Sequence, residues 1–218
     1  MTKSFKMELP KIPSDLETAN FQDIYNEEEP YLANCMIANE IMDNEEIDKA
    51  VLSKVIFKNV TFMHARLERI DMVDIVFENC DLSNAYFGKG IIHRVAFKDC
   101  KLMGVDFSEA NMGNVSFENC MANFSSFVDT RLKQVVFNHS SLQSTNYYGC
   151  KFSKVNFDQC DIDEADFSQT SLKGIDISTC TFDRLNIALE SLDGCIVSTD
   201  QAIGFSKLLG LVVKQSLQ

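Results

Sequence analysis

The sequence predicts an all-β solenoid, a square coil of 20 residues per turn whose turns stack as parallel strands. Three observations predict it. Every fifth residue from Leu52 to Leu192 is apolar or aromatic, 29 consecutive positions without a register slip. A second phase, two residues earlier and running every fifth position from Ala50 to Cys195, carries Ala, Val, Ile, Leu, Cys, Ser, Thr or Gly, with Glu190 the one exception. All three prolines, Pro10, Pro13 and Pro30, lie before the repeats, where no ladder needs their missing N–H.

A period of five is incompatible with the common elements. On an α-helix five residues advance about 140°, which smears the apolar set around the axis. On a flat strand an odd period sends alternate hits to opposite faces. The set stays inward only if the chain turns a corner at every fifth residue, and four corners close one coil. Stacked coils then pair at about 4.8 Å. Residues 20 apart become neighbours along the axis, so Phe57, Phe77, Phe97, Phe117, Phe137 and Phe157 are expected to form a ladder of stacked rings.

The elements follow in chain order. Residues 1–49 read as an irregular acidic cap or a degenerate first coil. Ala19-Asn20-Phe21 looks like one isolated repeat, and Leu32, Ile37, Met42 and Ile47 are in frame, but Glu40 and Glu45 fall at inward small positions. Residues 50–195 read as the regular coil. Residues 196–218 read as a cap on the last coil: a short helix over Thr199–Leu209 with a Thr or Asp cap and apolar Ile203, Phe205, Leu208 and Leu209, then Gly210 as terminator and a short strand at Leu211-Val212-Val213.

Composition excludes several classes of function. The chain has 218 residues and a formal charge of −12, which disfavours direct binding of a nucleic-acid backbone or an anionic membrane. No stretch approaches the roughly 20 apolar residues of a membrane span, and the N-terminus has no apolar signal core, so a cytoplasmic location is expected. All eight cysteines fall in the small-residue phase, with no CxxC; they read as small filler at inward positions, not as metal ligands or disulfides. His64, His93 and His139 are in outward phases with no ligand or triad spacing. The acidic run Asp161, Asp163, Glu164 and Asp166 reads as a solvated corner. No catalytic residue, metal or cofactor is expected.

Ala165-Asp166-Phe167-Ser168-Gln169, Val155-Asn156-Phe157-Asp158-Gln159 and Val105-Asp106-Phe107-Ser108-Glu109 match the Ala-(Asp/Asn)-(Leu/Phe)-x-x motif, and the chain resembles the pentapeptide-repeat family over about two thirds of its length. The resemblance implies a right-handed quadrilateral β-helix. The tail, Asp200-Gln201-Ala202-Ile203 and then Leu209-Gly210-Leu211-Val212-Val213, is similar to that of Qnr-like quinolone-resistance proteins. That similarity implies a homodimer formed through Ile203, Phe205, Leu208, Leu209, Leu211 and Val213. It also implies binding to DNA gyrase and topoisomerase IV by imitation of DNA, and an effect on fluoroquinolone resistance. An interaction scaffold with an unrelated partner is the alternative. The unbroken register from 50 to 195 leaves no room for the target-protecting loops of some Qnr proteins.

The charge divides unevenly. Residues 1–49 hold 4 basic and 12 acidic side chains, residues 50–195 hold 14 and 19, and residues 196–218 hold 2 and 1. Within the coil, the side centred on Leu52 is net +3, those centred on Phe57 and Phe62 are each net −3, and that centred on Leu67 is net −2. The expected partner-binding residues are therefore Glu78, Asp81, Asp99, Glu118, Asp158, Asp161, Asp163 and Glu164, on the two adjacent −3 sides. Arg131 and Lys133, on the +3 side, are expected to be dispensable for topoisomerase binding.

Overall fold

The computed structural model describes residues 5–214. Its centre is one parallel sheet in strict sequence order: β1 (Glu17–Thr18), β2 (Tyr31–Ala38), β3 (Val51–Lys58), β4 (Asp71–Glu78), β5 (Ile91–Lys98), β6 (Asn111–Glu118), β7 (Arg131–Asn138) and β8 (Lys151–Asp158). From β2 to β8 paired residues are 20 places apart, as in Phe57 with Phe77 and Phe97 with Phe117. Each of these strands runs along two sides of the square. The other two sides are joined between coils by single bridges, such as Thr61 to Asp81 and Arg66 to Tyr86.

The period of five has a visible backbone cause. The residue two places after the inward apolar one takes a positive φ at almost every side, between 49° and 61° for the non-glycine residues. Asn and Asp tolerate this region best, and they fill many of these places, including Asn59, Asn79, Asn84, Asp99 and Asn119. On the Phe62 and Leu67 sides the corner is closed by an i+3 to i bond, as where Ala65 N–H donates to the Phe62 carbonyl (3.0 Å) and Ala85 N–H to that of Leu82 (3.0 Å).

The core is aromatic. The rings of Phe57, Phe77, Phe97, Phe117, Phe137 and Phe157 stack with centroids 4.7–5.0 Å apart. A second ladder, Phe87, Phe107, Phe127, Tyr147 and Phe167, stands opposite at 5.0–5.4 Å. The two meet edge to face, as at Phe117 and Phe127, an arrangement suited to the ring quadrupole.

The small-residue phase is more than filler. Its thiols and hydroxyls donate to the carbonyl 23 residues earlier, that of an inward residue in the preceding coil: Cys80 to Phe57 (3.4 Å), Cys100 to Phe77 (3.5 Å), Thr130 to Phe107 (2.8 Å), Ser140 to Phe117 (3.3 Å) and Thr170 to Tyr147 (2.6 Å). Cys, Ser and Thr are thus the members of the small set that also satisfy a buried acceptor. All eight thiols are free, and seven are buried. Burial pushes Cys150 and Cys180 up to about 12 and Cys160 to about 11, so these remain protonated and unreactive near neutral pH.

Both ends are closed. At the N-terminal end a 3-10 helix, Phe21–Tyr25, inserts Phe21 and Ile24 beneath the first coil, the Phe21 ring lying 5.6 Å from that of Phe62. Asn20, which the sequence suggested as part of a repeat, is instead the cap of this helix, in a reciprocal capping box with Asp23. Glu40 and Glu45 are tolerated because they receive this plug: Glu40 accepts from Phe21 N–H (3.1 Å) and Glu45 from the Tyr25 hydroxyl (3.1 Å). At the other end α1 (Thr199–Phe205) is capped by Ser198, one residue before the expected Thr or Asp, and continues as a 3-10 turn, Ser206–Leu209, to Gly210 at φ 71°. Gln201 closes the last coil by donating to the carbonyls of Ile177 (2.8 Å) and Cys180 (2.9 Å). The expected strand at Leu211-Val212-Val213 is absent: the segment is irregular and exposed, because among the described residues no neighbouring strand offers it a ladder.

The chain before the coil is ordered in an unexpected way. Residues 6–11 run along the rod across successive coils. Lys11 N–H donates to Asp74 Oδ1 (2.8 Å), Glu8 N–H to Asn114 Oδ1 (2.9 Å), and Gln134 Nε2 to the Lys6 carbonyl (2.8 Å). Phe5 reaches a groove of about 1020 Å³ between β8 and residues 173–179. The groove exists because the ladder stops at β8: in the next coil Ile175 N–H turns back to the Leu172 carbonyl (2.9 Å), and among the described residues no backbone bond joins that stretch to β8.

Candidate partner-binding surface

The eight acidic residues expected to face a partner fall into two groups. Glu78 and Glu118 lie in a single axial column on the Phe57 side, and the register of the sheet makes that column Lys58, Glu78, Lys98, Glu118, Asn138, Asp158. Charges alternate along its first four members, and Glu78 is paired with Lys58 at 2.9 Å. Asp81, on the next side, is held by Ser83 N–H (3.1 Å) and Oγ (2.6 Å) and faces Lys101 at 3.5 Å. Its carboxyl is held below the ordinary range by these groups acting against burial. Asp99 belongs to a column of amides, accepting from Asn119 Nδ2 (3.1 Å), just as Asn39 accepts from Asn59 and Asn59 from Asn79. The first four acids are therefore members of neutralised or polar ladders, not an unbroken anionic strip.

The other four converge. Asp158, Asp161, Asp163 and Glu164 turn one corner of one coil. Asp161 accepts from Gln143 Nε2 (2.6 Å), and Asp163 Oδ1 accepts the backbone N–H groups of Asp183 and Arg184 (both 2.9 Å), which hold its carboxyl below the usual range. Glu164 is paired with Arg184. Asp183 adds a further acid in the next coil. Among the described residues no group of three His, Cys, Asp or Glu side chains is arranged to hold a metal ion. This corner is instead a dense, half-exposed carboxylate surface suited to cationic side chains of another macromolecule.

Between the two acidic groups lies a feature the composition of the phases concealed. Met103, Met121 and Phe124 are exposed on adjacent coils of the Phe62 side, Phe124 at 64% and with φ 61°. A bulky aromatic at positive φ is uncommon. An outward Phe at a place that Asn or Asp often fills is the signal the sequence carries.

Of the six residues expected at a dimer interface, Ile203, Leu208, Leu209, Leu211 and Val213 are exposed together at the C-terminal end, joined by Val212 at 88%. Phe205 differs: it is half-buried, its ring 5.6 Å from that of Phe182, and forms part of the cap. Among the described residues no helix is long and apolar enough to cross a membrane.

Residues 90–167 match the family model for a pentapeptide repeat region. Among solved structures the chain is similar to HetL of Nostoc sp. strain PCC 7120, a pentapeptide repeat protein involved in heterocyst differentiation regulation, at 16% identity, 77% of this chain, 83% of that chain and a TM-score of 0.46. It is similar to QnrB1, a plasmid-mediated fluoroquinolone resistance protein, at 16% identity, 81% of this chain, 100% of that chain and a TM-score of 0.39. The pentapeptide repeat protein Rfr23 of Cyanothece 51142 matches at 11% identity, 57% and 88% coverage and a TM-score of 0.17. No curated protein matches.

Proposed function

Because residues 90–167 match a pentapeptide repeat region, we propose that the chain acts as a non-catalytic binding rod that presents carboxylates to a cationic cleft, with the type II topoisomerases DNA gyrase and topoisomerase IV as its partners. The observation that carries this reading is the corner of Asp158, Asp161, Asp163 and Glu164, where four carboxylates are fixed by backbone and side-chain donors on a rigid coil. Preorganised charge of this kind steers and orients a partner without an ordering cost at binding. The exposed apolar end at Ile203, Leu208, Leu209, Leu211 and Val213 supports a two-fold dimer, which would double the length of the rod. Fluoroquinolone protection follows in this reading from displacement of DNA at the topoisomerase.

The test is a gyrase supercoiling assay with purified protein, with and without ciprofloxacin. Inhibition of supercoiling or rescue from the drug at micromolar protein is expected. Absence of both, together with no binding to topoisomerase IV, would overturn the choice of partner. A scaffold for an unrelated partner is the second reading, favoured by Met103, Met121 and Phe124: an apolar patch in mid-rod has no counterpart in DNA and suits a partner with an apolar pocket.

A further inference from the structure

The side centred on Leu52 departs most from the acidic balance of the chain. Its two consecutive coils, 130–134 and 150–154, carry Arg131, Lys133, Lys151 and Lys154 and no acidic side chain. Arg131 and Lys151 are direct cross-strand partners, about 4.8 Å apart along the axis. All four are exposed, and among the described residues none makes an ion pair. Like charges directly opposite in a sheet are destabilising, and packing does not require them, since Asn111 and Ser153 serve at equivalent outward places.

Beside these cations the sheet is notched. Gly113 stands between His93 and Lys133 in its column. Around it lies a groove of about 420 Å³, lined by Ile92, Met112, Arg131, Lys133, Gln134 and the His93 ring, whose Nδ1 sits 3.0 Å from where a Gly113 Cβ would stand. The same side already holds an extended chain. Between Lys11 and Glu8 the N-terminal segment advances three residues while its contacts advance from Asp74 to Asn114, two coils. At about 3.3 Å per residue and 4.8 Å per coil, the extended backbone is commensurate with the stack. Side-chain amides and a carboxylate read its backbone, and Arg94 lies 4.0 Å from the Glu8 carboxylate.

We propose that the Gly113 notch and the cations Arg131, Lys133, Lys151 and Lys154 form a docking site for an extended acidic segment of a partner protein, lying alongside the N-terminal segment. The bound segment repeats what residues 6–11 do, with carboxylates two residues apart meeting the arginine and lysines. Duplex DNA fits poorly: four cations neutralise few phosphates, and the rest of the chain is net −16 once they are set aside. A membrane surface fits poorly as well: the exposed apolar side chain beside them, Ile91, is too little to anchor the rod by insertion.

The experiment uses the full chain and a fluorescein-labelled peptide of alternating glutamate and serine, followed by fluorescence polarisation at low salt. Saturable binding is expected. Arg131→Glu with Lys133→Glu should weaken it at least tenfold. Gly113→Val, which fills the notch without changing charge, should weaken it several-fold. Lys54→Glu with Lys207→Glu, an equal charge change elsewhere, should leave it within twofold. Circular dichroism checks that each variant is folded, and Gly113→Val serves alone if the double charge reversal is not. The proposal is overturned if the peptide does not bind, if the two reversals weaken binding equally, if Gly113→Val has no effect, or if single-stranded DNA or phosphatidylserine vesicles bind this face more tightly than the peptide.

Discussion

Arg94 grips Asp74 through two hydrogen bonds, Nε to Oδ1 at 2.6 Å and the terminal nitrogen to Oδ2 at 2.8 Å, under the N-terminal segment. Asp74 is only 3% exposed and also accepts from Lys11 N–H. One carboxylate thus joins two coils of the rod to the strand that crosses them. The hydrogen bonds from Arg94, with that from Lys11, hold its carboxyl below the ordinary range against burial. A depressed carboxylate stabilises the fold above the unfolded-state value and loses that contribution as the pH falls through its folded value. Stability is therefore expected to drop as the pH falls below about 4. Arg94→Ala should cost about 3 kcal/mol near neutral pH by leaving a buried charge unpaired. Urea melts of both proteins at pH 7 and pH 3 check this: the difference between them should shrink at the lower pH.

The Phe117 ring lies 4.9 Å from Phe97 and 4.7 Å from Phe137. Phe117→Ala should cost roughly 3–5 kcal/mol, and Phe117→Asp should abolish the fold. A cooperative thermal transition retained by Phe117→Asp would contradict the packing described for this ladder.

Tyr147 is completely buried between Phe127 and Phe167, and its hydroxyl has no hydrogen-bond partner among the described residues. Desolvation raises that hydroxyl well above its ordinary value, so it stays neutral. Removing an unsatisfied buried hydroxyl recovers part of its desolvation cost, and Tyr147→Phe is expected to stabilise the protein by about 1 kcal/mol. A lower denaturation midpoint would show that the hydroxyl has a partner after all.

Thr170 Oγ1 donates to the Tyr147 carbonyl (2.6 Å) and accepts from Cys150 N–H (2.8 Å). Thr170→Val keeps the shape and loses both bonds, at an expected cost of about 1–3 kcal/mol. Thr170→Ser should recover most of it. Comparison of the two variants by chemical denaturation separates the hydrogen bonds from the packing of the methyl group.

Phe124→Asn places a residue suited to positive φ where a bulky one now sits, with an expected gain of roughly 1 kcal/mol. If Phe124 serves a partner, the more stable variant will be the weaker binder. Paired melting and pull-down measurements read both effects.

The coil was legible because one constraint repeats: an inward residue every five places specifies both the turn and the Phe57–Phe157 ladder. The ends were less so. Asn20-Phe21 fits the repeat motif and yet opens a 3-10 helix, since the motif scores side-chain types and not whether another coil lies beneath. Leu211-Val212-Val213 has strand composition but, among the described residues, no strand beside it. Residues 6–11 were invisible because their contacts join backbone atoms to side chains up to 128 positions away, and such bonds leave no periodic trace. On the surface, the acids of the Phe57 and Phe62 sides were correctly assigned to their sides. What a sum over a side could not show was the alternation Lys58, Glu78, Lys98, Glu118, which appears only when the column is read along the axis.

The N-terminal segment runs against the direction in which the coils are laid down. Its outermost contact, Lys6 with Gln134, cannot form until β7 is in place, although Lys6 leaves the ribosome long before β7 does. Residues 6–11 are thus made well before the last of their partners, and their seat is complete only once β4 to β7 have paired. A rod that stopped short of Gln134 would leave the Lys6 carbonyl without its donor, so the full set of contacts made by residues 6–11 spans β4 to β7 and ties four coils together through one strip of backbone.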